Sequence, residues 1–331
     1  FAAAIQFYRL AAVEDRPSAA FAVARLYASG EASAPNPDAA RQMAQLGLVG
    51  LIAEANSGNC GALVSIARTY ERGQALRQDQ EVASAWYLAA ARAGDLRGMD
   101  QIADRYAGGI GIDLSLDKAL FWWRRAAEKG SSSAALQVGR VYALGLGVTP
   151  DAGQAQEWLE RAARGGSVGA MQRLAELWSG DLPVTPAGGV DDAMAVAWYQ
   201  RALEYDPRRI GVLNALARAY ADGRGVAADP ARAFELFTRA AQAGSLSALR
   251  SMAESYRAGR GVEANTQRAM QLFRQAATRG DAGSFGEIVE AHRCGLGVDV
   301  DPALAQRWIE RGAAQGVLRF MVESAEQLAA K

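Results

Sequence analysis

Apolar positions in this chain recur at helical spacing, and the spacing itself repeats. From Gly58 the residues fall into rows of 36: GNCGALVSIARTYERGQALRQDQEVASAWYLAAARA, GDLRGMDQIADRYAGGIGIDLSLDKALFWWRRAAEK and GSSSAALQVGRVYALGLGVTPDAGQAQEWLERAARG. Tyr70, Tyr106 and Tyr142 share a column, as do Gly73, Gly109 and Gly145. Ala83, Ala119 and Ala155 each stand three residues before Trp86, Trp122 and Trp158. In the first half of a row, Leu63, Ile66, Ala67 and Tyr70 share one face of a helix; in the second half, Ala119, Trp122 and Ala126 do the same. Between the halves, glycines such as Gly145 and Gly147 permit positive φ and end the first helix. Asn36-Pro37, Asp229-Pro230 and Asp301-Pro302 read as starts of second helices, with a capping side chain before a proline that fits the first turn. Small residues at Ala67, Ala103, Gly139, Ala175 and Ala253 allow close helix approach. No alternating strand pattern competes. The expected fold is all-α, a right-handed α-solenoid of helix–turn–helix repeats.

The period divides the chain. Residues 1–13 read as the second helix of a repeat whose first helix is missing, so the chain is expected to begin inside a longer protein. Residues 14–57 form an irregular repeat carrying Tyr27 and Gly30. Residues 58–315 hold the regular repeats, starting near 58, 94, 130, 166, 206, 244 and 280. In the repeat from Gly166, Trp178 takes the tyrosine column and SGDLPVTPAGGVDD makes a longer connection; the register then shifts near Asp206-Pro207. Residues 316–331 supply a closing helix over the last repeat.

Composition narrows the function classes. With 331 residues, half of them hydrophobic, the chain can bury a large apolar surface. Its 36 basic and 36 acidic side chains cancel, and no long basic run gives the footprint of a nucleic-acid binder. No apolar run is long enough to span a membrane; any signal or anchor is expected upstream of Phe1. Cys60 and Cys294 lie about six repeats apart, on the order of 60 Å at a helix-packing distance of roughly 10 Å per layer. A disulfide between them is not expected.

The run Leu-x-x-x-Tyr-x-x-Gly-x-Gly-Val, followed by Asp, Ala-x-x-Trp and Ala-Ala-x-x-Gly, resembles the Sel-one-like repeat, a relative of the tetratricopeptide repeat. YRAGRGVEANTQRAMQLFRQAATRG and YALGLGVTPDAGQAQEWLERAARGG carry the likeness most fully. The resemblance implies a binding scaffold rather than a catalyst. Such repeats occur in bacterial periplasmic and lipid-anchored scaffolds of exopolysaccharide secretion, as in the alginate system, and in envelope or cell-pole organisers. The expectation is therefore a periplasmic protein with envelope proteins as partners, the cytoplasm being the alternative compartment. Direct polysaccharide binding is an alternative of another class.

Hidden chemistry finds little support in the residues. The one histidine, His292, occupies the tyrosine column and is expected to pack. Cys294 stands two residues on and does not share its helical face, and a structural zinc site needs four ligands, so neither metal nor cofactor is expected. The glycine-rich loops follow helices, whereas a dinucleotide loop follows a strand. By analogy with the tetratricopeptide array, the residue two before the tyrosine faces the groove. That column reads Arg25, Arg68, Asp104, Arg140, Glu176, Arg218, Glu254 and Glu290. Its charges either pair from repeat to repeat as a ladder or read a partner by charge, with the end members the stronger binding candidates. The tryptophan column reads as ordinary core at helical spacing; Trp123 and Trp178 are the candidate stacking aromatics for the alternative, polysaccharide-binding reading.

Overall fold

The computed structural model describes residues 17–29, 35–73, 76–317 and 320–322. The expected helix over 1–13 and most of the closing segment 316–331 lie outside them. The described residues contain no strand, and the chain is an α-solenoid of helix pairs. It divides into two compact units, Phe1–Ser167 and Val168–Lys331. The first unit holds α1 (Pro17–Ser29), α2 (Pro37–Asn56), α3 (Cys60–Arg72), α4 (Gln80–Arg92), α5 (Leu96–Gly108), α6 (Leu116–Glu128), α7 (Ser132–Leu144) and α8 (Ala152–Arg164). The second holds α9 (Val168–Trp178), α10 (Asp192–Tyr205), α11 (Ile210–Asp222), α12 (Pro230–Gln242), α13 (Leu246–Ala258), α14 (Thr266–Thr278), α15 (Ala282–Cys294) and α16 (Pro302–Ala314). Within each unit a helix packs mainly on the one before it and the one after it.

One backbone bond recurs in every pair. The N–H of the residue capping the second helix donates to the carbonyl of the tyrosine-column residue that ends the first. Asn36 bonds to Tyr27, Asp79 to Tyr70, Ser115 to Tyr106 and Asp151 to Tyr142; in the second unit Asp191 bonds to Trp178, Asp229 to Tyr220, Asn265 to Tyr256 and Asp301 to His292. The same capping side chains accept a backbone N–H from the first turn of their helix, which satisfies a donor the helix cannot. A single polar residue thus fixes both where the second helix begins and how it hangs from the first.

The loop between them must also clear the previous repeat. Gly259 ends α13 at φ +67°, in the left-handed region. Gly261, at φ +75°, lies so close to the backbone of Pro230 that a Cβ there would stand 2.0 Å from its carbonyl oxygen. Both glycines need positive φ; the second also needs the absence of a side chain.

The small-residue column does what its spacing predicts. Ala67, Ala103, Gly139, Ala175 and Ala253 are all buried, and a Cβ on Gly139 would stand 2.6 Å from Leu159 Cγ. On the second helices, arginines cover the tryptophans three residues before them: Arg125 over Trp122, Arg161 over Trp158, Arg201 over Trp198 and Arg311 over Trp308, at 5.3–5.8 Å. At the end of the second unit Phe320 is buried against Phe285, with ring centroids 6.5 Å apart, and crowds Gly312.

Candidate protein-interaction groove

The two units present the charged column differently. In the first, Arg25 and Arg68 are exposed on α1 and α3, with no ion-pair partner among the described residues. Asp104 accepts a hydrogen bond from the Trp123 indole N–H at 3.0 Å. Burial pushes its carboxyl above the usual range, and the indole bond opposes that shift. Arg140 donates to Gln137 at 2.9 Å, one turn back on the same helix, while its Nε is buried with no partner among the described residues.

In the second unit Glu176 accepts from Gln172 at 2.8 Å and Arg173 at 2.7 Å, again within its own helix. Glu254 lies 3.8 Å from Arg250, one turn away. The exposed Glu290 lies 3.9 Å from the Cys294 thiol. Arg218 is exposed with no ion-pair or hydrogen-bond partner for its side chain among the described residues. Within neither unit does an ion pair join two members of the column. Their partners come from the same helix or from the second helix of the same pair, so the repeat-to-repeat ladder is replaced by local pairing. The reason is reach: the neighbours one turn away on the same helix are closer than the next repeat's equivalent position.

Of the two stacking aromatics, Trp123 does not face outward. Trp123 is 6% exposed and turned inward onto Asp104. Its column, Tyr87, Trp123, Leu159, Tyr199, Phe237, Phe273 and Ile309, is buried throughout. Trp178 is half-buried, with its indole N–H enclosed and without a partner among the described residues. Trp123, buried, has no ring face free for a sugar. His292 packs as expected, 5% exposed, with neither ring nitrogen hydrogen-bonded among the described residues. Cys60 and Cys294 are free thiols. Among the described residues no group of three or more His, Cys, Asp or Glu side chains could hold a metal ion.

A buried polar network in the first unit had no place in the sequence reading. Arg105 is 3% exposed and donates to Glu71 at 2.5 Å, to the Gln80 amide oxygen and to Ser84 Oγ. Ser84 in turn donates to the Ile110 carbonyl at 2.7 Å, and the Tyr87 hydroxyl donates to Glu71 at 2.9 Å. Burial, then the Glu71 bond, pushes the Tyr87 hydroxyl up to about 12. The network ties α3, α4, α5 and the loop after α5 together across a repeat boundary. Its signal in the sequence is Arg105 itself, a charge in a column otherwise made of Leu26, Thr69, Val141, Leu177, Ala219, Ser255 and Ala291.

Arg218 lines two recesses of the second unit. One, of about 120 Å³, is floored by Tyr199; the other, of about 260 Å³, by Phe237. Column residues therefore do face recessed surface here, between the first helices of successive pairs. These volumes fall below those of pockets that enclose a drug-sized molecule; each can take a side chain.

The fold and its recesses define a helical-repeat solenoid. The chain belongs to the Sel1 repeat family, whose profile matches eight stretches: 17–47, 62–95, 97–131, 132–167, 168–204, 212–245, 246–281 and 286–317. Among solved structures, a Sel1 repeat protein from Oxalobacter formigenes is 26% identical over 98% of this chain and 89% of its own, with a TM-score of 0.71. A protective antigen present in uropathogenic Escherichia coli strains, displaying an SLR fold, is 24% identical over 94% of this chain with a TM-score of 0.75. The match spans 64% of that antigen's chain. No curated protein matches the chain. Sel1 repeats in general mediate protein–protein interaction, and proteins built of them are in general non-catalytic. Among the described residues no helix is long and apolar enough to cross a membrane.

Proposed function

We propose that this chain is a non-enzymatic scaffold that holds partner proteins in a bacterial cell-envelope complex, in the periplasm, where it supports exopolysaccharide secretion. The interaction part rests on one observation: charged column residues line open recesses between stacked helix pairs, and Arg218 among them lacks an internal partner. The envelope part rests on the resemblance of the repeats, YRAGRGVEANTQRAMQLFRQAATRG above all, to those of secretion scaffolds.

Cross-linking the purified chain in envelope extracts is expected to give a reproducible set of envelope partners. Reversing charge at Arg25 or Arg68 should cut their capture by about tenfold without lowering the unfolding temperature. A partner set confined to cytoplasmic proteins would count against the compartment, and capture unchanged by both reversals would count against the groove. Loss of the gene should reduce exported polysaccharide; undiminished export would remove that part of the reading.

A further inference from the structure

Of the two recesses that Arg218 lines, the larger has an unbalanced rim. Its floor is apolar, made by Phe237, Ala233 and Pro230 of α12. Around it stand three guanidiniums, Arg218 of α11, Arg250 of α13 and Arg260 of the following loop, against the carboxylates of Asp222 and Glu254. Arg250 is held loosely between two acids, at 3.8 Å from Glu254 and 4.0 Å from Asp281. The side chains of Arg218 and Arg260 are exposed and have no ion-pair or hydrogen-bond partner among the described residues. The neighbouring recess behaves differently. There Arg224 is satisfied by Asp192 at 2.9 Å and by the Ser179 carbonyl, and the Ser179 hydroxyl is bonded to Asp181. Arg218 is the one cation common to both rims.

We propose that the recess over Phe237 receives an acidic segment of a partner protein, a carboxylate bound between Arg218 and Arg260 with the adjoining aliphatic side chain resting on the apolar floor. The physical ground is complementarity. Guanidiniums pair with carboxylates through planar, two-pronged hydrogen bonds, and a cavity of about 260 Å³ fits one side chain rather than a cofactor. Glu254 works against a second acid on its own side. Burial raises its carboxyl and Glu287 adds to that, while Arg250, Arg257 and Arg260 lower it; Glu254 stands on α13, so an incoming acid is better placed toward Arg218 of α11. This proposal rests on the scaffold reading and narrows it to one site and one partner chemistry.

The test uses the full chain and a fluorescein-labelled peptide of alternating glutamate and leucine, with glutamine–leucine and lysine–leucine twins, read by fluorescence anisotropy. The acidic peptide is expected to bind, and to weaken as salt rises from about 0.05 to 0.5 M. Arg218→Glu and Arg260→Glu should each weaken it by about tenfold. Arg274→Glu, an exposed arginine of α14 away from the recess, should leave it unchanged, and circular dichroism checks that every variant is folded. Equal binding of the glutamine twin, insensitivity to both rim reversals, or no binding of the acidic peptide up to about 1 mM would overturn the site. Reproducible envelope partners in the cross-linking experiment alongside any of these results would show that the site had failed while the scaffold stood.

Discussion

At position 105 a guanidinium stands where the other repeats carry small or apolar side chains, and the protein builds a polar network around it. Breaking a buried ion pair strands its partner, so the cost exceeds the pair's net worth. Lysine cannot reproduce the forked contacts to Glu71, Gln80 and Ser84. Arg105→Lys is expected to lower stability by about 2–3 kcal/mol in urea unfolding. The loop glycines separate two costs. Gly259→Ala meets only the left-handed backbone, about 1 kcal/mol, whereas Gly261→Ala also drives a methyl into the Pro230 carbonyl, and about 3 kcal/mol is expected. Asp100 gives the pH dependence. Burial raises its carboxyl, Ser131 partly offsets this and nearby Asp104 adds to it. With the folded value above the unfolded one, its stabilising contribution is complete below the unfolded value and is lost as pH rises through the folded one. Asp100→Asn keeps an acceptor for Ser131, so the variant should be more stable than the parent near pH 7, with the gap closing as pH falls toward about 4 and staying constant below it. Urea titrations across pH would show it, and a constant gap would contradict it.

Among the elements, the second helices were harder to read than the first. Adjacent residues on a helix lie about 100° apart, which suggested that Trp123, next to a core tryptophan, would face outward. These helices instead present a broad apolar arc: the Trp123 column is buried throughout, and beside it Trp122, Trp158, Leu236, Leu272 and Trp308 are buried while Trp86 and Trp198 are half-buried. The information lay in the column, since each member beside the tryptophan position is large and mainly apolar. Helix starts were more legible, because Asn, Asp and Ser cap by a local bond that needs no tertiary context. The exception is α11, whose capping residue Arg209 makes no side-chain bond to its first turn. It donates instead to Gln172 at 3.1 Å, an exposed contact. Arg209→Ser should therefore raise the unfolding midpoint, by up to about 1 kcal/mol, in thermal or urea melts.

For the whole molecule, the fold was legible because the same short-range rules are applied again and again, so every repeat restates the evidence for its neighbours. The recesses were less legible. They depend on which arginines find partners, and a side chain one turn away or across a loop decides that. In an array stabilised by nearest-neighbour contacts, removing one complete period should leave a shorter chain that still folds. Deleting 244–279 joins Ala93-like Ala243 to Gly280 in register. Circular dichroism should show unchanged helix content per residue, and the deletion should abolish binding of the acidic peptide, since Arg250 and Arg260 leave with it. The bond from each capping residue to the tyrosine-column carbonyl carries a further consequence. Because every pair sets its own phase afresh, a spacing error cannot travel: the enlarged connection at 179–190 is absorbed where it occurs, and the capping bonds continue at Asp191, Asp229, Asn265 and Asp301. Such a chain can lengthen at one loop over evolutionary time while every downstream contact stays as it was.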